Sequence, residues 1–565
     1  MPDIRARSRL TACLLAAALL SGLCTGARAD TPGVCPAAPD STQAEQWEGQ
    51  HSWEALAAAG YRIGQVQIVV DGVFDLTDPV EDTWYARTAD ALHIDTHPGA
   101  IRAELLFAPG QPVDPRIIYE SERRLRALPF LRYANVMPVN CAAGVVDVVT
   151  HVKDAWTLKF NLSFAHVGGQ SSFGASFEDV DFLGTGKTVA VGHVDDTQRN
   201  GNHITYVDPA LLGSPWQLDA TYAHLSDGSE RAMDVGQPFY EDETPWSLFV
   251  HYLDQEQNLN FYDHAELAWR AESIQHFDEM DWMHLLTWRD GAGTRAGVSY
   301  LYQDFTYGPL ETFPSVTLPM PSLPSRRFAG PLGTWEYFED HYATFTNLAL
   351  IGRAEDYNLG WDTRLQGGYF ANRLGSTHSA WFYSLNSSYG GDWHGDTLLL
   401  ASASLTGRRE TGVNRNTLAN VTFTLYNQSF GAHTLVVHGL VDFSLHPDPE
   451  YQLYLGGIQG MPGYPNYFLI GDRRWQATIA DRVLTRTRIL NTYQVGFSVY
   501  ADAGQVRLLD TGGWSRTLAD AGVAIRLGDI RSAYGGVIYV TYAWPLVKMP
   551  GANERQFVIG NIINF

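Results

Sequence analysis

From Trp156 to the end, the chain alternates apolar and polar side chains with a period of two, over roughly 400 residues without a helical interlude. In WTLKFNLSF, Trp156, Leu158, Phe160, Leu162 and Phe164 fall on one face of a strand, and Thr157, Lys159, Asn161 and Ser163 on the other. The pattern recurs in VGFSVYAD, in VIYVTYAW and in the closing QFVIGNIINF, with Gly, Asp and Asn between the runs. So many amphipathic strands exceed what one two-sheet core buries. Closing them into a ring satisfies every backbone group without leaving an edge, and presents one face to hydrocarbon and the other to water. The expected fold is an all-β transmembrane barrel; at about 25 residues per strand plus connection it holds about 16 antiparallel strands.

Upstream of this region the pattern differs. Residues 1–29 carry Arg5, Arg7 and Arg9 ahead of the apolar run LTACLLAAALLSGL and the tripeptide Ala27-Arg28-Ala29, the arrangement of a secretory signal peptide cleaved before Asp30. Past it, no window approaches the roughly 18 consecutive apolar residues of a membrane helix. Residues 30–61 read as a tether with a short helix over Ala44–Ala59, in which Trp47, Trp53, Leu56 and Ala57 make one apolar stripe. Residues 62–154 mix the two periods. GQVQIVVDGVF is a strand; VDPRIIYESERRLRALPFL is a helix capped by Asp114, opened by Pro115 and stopped by Pro129, with Ile118, Leu125 and Leu128 on its apolar side. VMPVN and VVDVVTHV are strands, so a small α+β unit precedes a barrel spanning 155–565.

Once the signal is removed, the four cysteines reduce to Cys35 and Cys141. In an oxidising compartment these two are a possible disulfide, closing a loop of about 100 residues. A formal net charge of -23 argues against nucleic acid and anionic surfaces as partners. Acidity alone is equally ordinary for a secreted enzyme. No HExxH, no G-x-S-x-G and no cysteine pair at zinc spacing occurs, so no catalytic centre, metal site or cofactor is expected. The run GTGKT, Gly184–Thr188, invites a phosphate-loop reading, but Asp181 stands where that loop needs its first glycine, and a barrel hairpin accounts for the glycines.

Taken in order, these stretches resemble the POTRA-plus-barrel superfamily of outer-membrane assembly and translocation proteins, which includes the BamA and TamA type, the two-partner-secretion transporters and the bacterial surface antigen family. The resemblance lies in FAPGQPVDPRIIYESERRLRALPFL and its two following strands, as a single POTRA domain. It continues through DVDFLGTGKTVAVG, YVDPALLGSPW and SDG at the barrel start to YADAG, GVAIRLGDI and VIYVTYAWPL near its end, and so covers most of the chain. It implies a barrel in the bacterial outer membrane with its POTRA domain in the periplasm, inserting or translocating polypeptide clients that the POTRA domain captures as an added strand. Transport of lipid or another envelope component, and a passive channel plugged by its own loop, are alternatives open to the same architecture. Outer-membrane lipid is then the surrounding partner. Gly560, Ile563 and Phe565 fit the terminal-strand signal such barrels present to their insertion machinery, with Val558 where a polar residue is usual.

The stretch LGGIQGMPGYPNYFLIGDRR, Leu455–Arg474, resembles the lumen loop of that superfamily, whose apolar-Arg-Gly-aromatic core pairs its arginine with an acid on the inner wall. Here Gly460 precedes Met461-Pro462-Gly463-Tyr464: the glycine and aromatic are kept and the arginine is a proline. Alternation in VGFSVYAD turns Gly496, Ser498, Tyr500 and Asp502 inward, which makes Asp502 the wall acid the resemblance implies. Alternation in RRWQATIADRV turns Arg474, Gln476, Thr478, Ala480 and Arg482 inward. Two outcomes are open. Either Arg474 or Arg482 takes over the pairing with Asp502 while Pro462 stiffens the loop by fixing φ, or Asp502 is solvated in a wet lumen. The Pro-rich stretch Phe313–Leu332 reads as a long loop.

Overall fold

The structure, a computed structural model, describes residues 53–79, 82–167, 170–195, 198–241, 243–313, 320–457, 460–531, 536–552 and 555–560. The signal segment, most of the tether, Cys35, Ile563 and Phe565 lie outside these residues.

The N-terminal α+β domain contains the helices α1 (Trp53–Ala58), α2 (Trp84–Leu92), α3 (Pro98–Glu104) and α4 (Pro115–Ala127), and the strands β1 (Arg62–Asp71), β2 (Leu131–Ala142) and β3 (Val145–Asp154). The sheet order is β1-β3-β2, with β1 parallel and β2 antiparallel to β3. As the sequence requires, α4 starts at Asp114, whose carboxylate accepts the Arg116 N–H, and has Pro115 in its first turn. Its apolar side follows the helical spacing: Ile118 packs with Val136, Val146, Val148 and Trp53 of α1, and Leu125 with Leu131, Ala134 and Val152. Cys141, near the end of β2, is disulfide-bonded.

From Leu158 to Gly560 the neighbouring strands are antiparallel, and the ring closes where Gln556–Gly560 meets Leu158–Val167. Among the described residues the ring is 20 strands around, with the short pieces Glu311–Thr312 and Leu453–Leu455 continuing Ala292–Tyr307 and His433–Leu445 along the same neighbours. This exceeds the expected number because several connections are minimal. Asp290-Gly291 alone joins Glu266–Arg289 to Ala292–Tyr307, so a strand and its turn use fewer residues than supposed. Arg326–Leu332, expected as loop, begins the strand Arg326–Glu339, whose Phe328 and Leu332 are buried with Leu301 and Phe370.

Exposure is inverted relative to a soluble protein. On the strands Leu469–Ile489 and Tyr493–Leu508, Ile479, Phe497 and Val499 are 52%, 48% and 54% exposed, whereas Thr478, Ser498 and Asp502 are 2%, 2% and 4% exposed. Apolar side chains thus face outward and polar ones fill the interior, as a ring crossing hydrocarbon demands. Among the described residues no helix is long and apolar enough to cross a membrane.

The interior is filled from both mouths. At the mouth facing the N-terminal domain, the hairpin Tyr342–Thr346 and Ala354–Asn358 forms a separate two-stranded sheet. Its tip turns inward: Ile351 packs with Ala480, Tyr500 and Ala524 of the wall, and Phe345 and Leu348 with Leu398. From the opposite mouth descends the loop joining His433–Leu445 to Leu469–Ile489.

The N-terminal domain lies against the rim through α4 and the end of β1. Arg116 pairs with Glu243 (3.1 Å), Arg126 with Asp356 of the hairpin (3.1 Å), and the Arg123 guanidinium lies 4.1 Å from the ring centre of Tyr342. Arg531, just past a barrel strand, donates to the Val73 carbonyl.

Candidate functional site

The lumen loop is built around one tight turn. Pro462 and Gly463 occupy its centre, and the Tyr464 N–H closes it on the Met461 carbonyl at 3.1 Å. Met461 enters the turn at φ 74°, a left-handed conformation costly for a methionine, and is completely buried with Leu455, Phe468, Val506 and Leu518. Gly463 itself is not left-handed. It is glycine because of a close approach: a Cβ there would stand 2.6 Å from the Asp520 Cβ. Gly460 likewise lies against the Gln476 amide, where a Cβ would meet Oε1 at 2.1 Å. The fully buried Tyr464 puts its hydroxyl 2.9 Å from the carbonyls of both Ala519 and Val547, and it also accepts the Ala519 N–H. The loop is thereby fastened to the strand Leu518–Asp529 and to the segment after Val537–Pro545.

Its acid partner is Asp520. The Gly463 N–H donates to Asp520 Oδ2. Asp520 lies directly across the strand pair from Asp502, so two buried carboxyls, 4% and 0% exposed, face each other on the inner wall. Asp502 also accepts from the Thr478 hydroxyl. Neither expected arginine reaches Asp502, and Asp502 is not solvated. Both outcomes drawn from the sequence give way to a carboxyl pair completed by a neutral hydroxyl and a backbone N–H.

Each arginine instead holds one of the two insertions. Arg474 pairs with Asp442, which faces it across the neighbouring strand, through Nε at 2.8 Å and Nη2 at 2.6 Å, and its Nη1 donates to the Tyr454 carbonyl on the arm of the loop. Arg482 donates to the Leu348 carbonyl at the hairpin tip, at 2.8 Å. The geometric reason is distance along the strand. Arg482 stands opposite Ser498 and Arg474 opposite Val506, each four residues from Asp502 on the facing strand, or about 13 Å at about 3.3 Å per residue.

Asp520 was legible in retrospect. The tetrapeptide Ala-Asp-Ala-Gly occurs at Ala501–Gly504 and again at Ala519–Gly522, in consecutive strands, and antiparallel pairing brings the two aspartates face to face. Of the terminal signal, Gly560 ends the strand Gln556–Gly560 opposite Tyr539, and Ile563 and Phe565 lie outside the described residues.

A second polar cluster joins the N-terminal domain to the ring. His93 Nε2 lies 3.0 Å from Asp154 Oδ2, which also accepts the Thr96 N–H. The Thr96 hydroxyl sits between Asp154 Oδ1 at 2.8 Å and Asp181 Oδ2 at 2.7 Å, and the His97 N–H donates to the Gly184 carbonyl. Asp181 and Gly184 belong to the stretch once tempting as a phosphate loop; here Asp181 accepts the Gly186 N–H and folds the turn around itself. Burial disfavours a charged imidazole, but the bonded Asp154 carboxylate, with Asp95 and Asp181 nearby, outweighs it and raises the His93 pKa. Burial also raises that of Asp181, against the Thr96 hydroxyl and the Gly186 N–H. No motif in the sequence announces this cluster, whose members come from three separate segments, 93–97, Asp154 and 181–186.

No protein-family model and no curated protein matches the chain. Among solved structures it is similar to BamA from Haemophilus ducreyi lacking POTRA domains 1-3 (14% identity, 88% of this chain and 84% of that one, TM-score 0.39). It is also similar to CdiB from Escherichia coli (10%, 88% and 75%, TM-score 0.45) and to OpdQ of Pseudomonas aeruginosa (10%, 71% and 94%, TM-score 0.32).

Proposed function

We propose that the chain is a non-enzymatic barrel of the bacterial outer membrane that inserts or translocates polypeptide clients, with its N-terminal domain serving as a POTRA domain in the periplasm. The observation that carries this reading is the seam. Among the described residues, Gln556–Gly560 and Leu158–Val167 share a single registered pair, Phe557 with His166, whereas Tyr493–Leu508 and Leu518–Asp529 share twelve. The ring closes where its first and last described strands meet, and if it parts there each freed strand offers unpaired N–H and C=O groups to an incoming strand. The outer edge of β2, which pairs with no other strand among the described residues, offers the same chemistry at the mouth. A lumen filled from both ends supports this reading over a passive channel.

Locking the seam tests it. With cysteines at His166 and Phe557, the oxidised protein is expected to stop delivering its client to the membrane or surface, and reductant to restore delivery. Undiminished delivery through a fully oxidised seam would reject lateral opening as the route. Removing residues 62–154 is expected to lower delivery while the barrel still assembles.

A further inference from the structure

Beside the hairpin tip the inner wall carries two buried guanidinium groups. Arg482 and Arg526 stand on Leu469–Ile489 and Leu518–Asp529, with Tyr493–Leu508 between them; the register places Ser498 opposite Arg482 and Gly496 opposite Arg526. They are 5% and 3% exposed. Gly496 keeps the wall low between them: a Cβ there would lie 3.6 Å from the Arg526 Cβ and 3.8 Å from Ile351 Cδ1. Arg526 Nη2 donates to the Ala349 carbonyl at 3.2 Å, next to the Leu348 carbonyl that Arg482 holds. Alongside lies a cavity of about 100 Å³, lined by both arginines together with Asn347, Ile351, Gln428 and Thr434.

The protein does not balance the charge at Arg526. Among the described residues Arg526 makes no ion pair, and its Nε is a buried donor without an acceptor. Its guanidinium lies 5.5 Å from the ring centre of Tyr539, a neutral neighbour, and the acid of the hairpin beside it is Glu355. That carboxylate is already engaged, accepting the N–H groups of Leu348 (3.0 Å), Ala349 (3.1 Å) and Leu350 (3.3 Å) and the Tyr357 hydroxyl (2.9 Å). A buried guanidinium without an acid partner, Arg526, facing a cavity is costly until an anion joins it. Arg482 and Arg526 each present a planar fork of donors that matches an oxyanion. The cavity is several times the roughly 10–15 Å³ that one water needs in the same measure, room for a tetrahedral anion. In a chain of net charge -23, such a concentration of cations is not a by-product of composition.

We propose that this cavity binds a phosphate-class oxyanion, free or as a lipid headgroup. Arg482 and Arg526 clamp it, the Thr434 hydroxyl and the amides of Asn347 and Gln428 complete its shell, and the bound anion fastens the hairpin tip to the wall. This site goes beyond the delivery of polypeptides and stands or falls apart from it.

The test uses the full chain in micelles of a detergent without phosphate. Inorganic phosphate is titrated against chloride at matched ionic strength, by calorimetry and by thermal unfolding; a parallel arm adds phosphatidic acid or, as its uncharged control, diacylglycerol. Saturable phosphate binding that raises the unfolding midpoint is expected, with affinity reduced at least tenfold in Arg526→Gln. Thr434→Val, near-isosteric and opposite Arg482 in the register, is expected to weaken binding several-fold and serves as the decisive variant if Arg526→Gln does not fold. Competition by phosphatidic acid, and not by diacylglycerol, assigns the headgroup as a source; binding of inorganic phosphate alone assigns the free ion. Equal responses to phosphate and chloride, or unchanged affinity in both variants, would overturn the proposal.

Discussion

Pro462 changes what the lumen loop offers to its wall. A guanidinium would bring a charge to neutralise a carboxylate, whereas a turn preset by proline brings only the Gly463 N–H. That exchange fits a wall whose two acids, Asp502 and Asp520, face each other and take a backbone N–H and the Thr478 hydroxyl as donors. Replacing Asp520 by asparagine should preserve the arrangement, since its amide oxygen accepts from Gly463 and its NH2 donates to Asp502. Asp520→Ala strips the Gly463 N–H of its acceptor and leaves Asp502 with the Thr478 hydroxyl alone. A buried, unsatisfied donor costs about 1–3 kcal/mol, so unfolding should show a loss of that order for the alanine variant and little for the asparagine one. Protease cleavage between Gly457 and Tyr464 should appear only in the alanine variant. At this scale the sequence was half legible: alternation placed Asp502, Arg474 and Arg482 on the inner face, but which of them touch depends on register, which one strand's pattern does not specify.

At the scale of elements, helix α4 was readable because its cap, its proline and its apolar spacing all agree. The join between domain and ring was not, because Asp154, Thr96, His93 and Asp181 are each unremarkable in their own segments and meaningful only together. That join titrates. A pKa raised on folding means the folded form, in which Asp154 accepts from the imidazole, binds the proton more tightly than the unfolded one. The stabilisation from His93 is therefore complete below the imidazole's ordinary value of 6.5 and is lost as pH rises through its elevated folded value. Asp181, raised by burial, acts in the same direction at lower pH, and the neighbouring carboxylates of Asp90 and Asp95 favour the charged imidazole throughout. The cluster should be most stable in mild acid and lose stability toward alkaline pH. Trp156, whose ring centre lies 6.3 Å from that of His93, supplies the readout. Its fluorescence should change with pH in the wild type and stay flat in His93→Gln across the neutral-to-alkaline range; a flat wild-type response would remove the imidazole from this role.

For the whole molecule, the ring followed from a period of two sustained over hundreds of residues, yet the same pattern concealed the inward hairpin. Tyr342–Thr346 and Ala354–Asn358 are strands of five residues that pair with each other rather than with the ring, and it is this pairing that sets them apart. Two insertions now occupy one lumen from opposite ends, both resting on Leu469–Ile489: Gly460 meets Gln476 and the hairpin tip meets Ala480, four residues on, about 13 Å along a strand at about 3.3 Å per residue. They act as resistances in series, so the tighter one governs the current through the pore. Replacing residues 343–357 with a short Gly-Ser turn should therefore raise single-channel conductance only slightly, as should shortening the lumen loop around Met461–Tyr464. Removing both should raise it by far more than the sum of the single changes, because only then is no obstruction left. Additive increases, or a wide pore after the first deletion alone, would mean that one insertion carries the whole block and the other merely braces the wall.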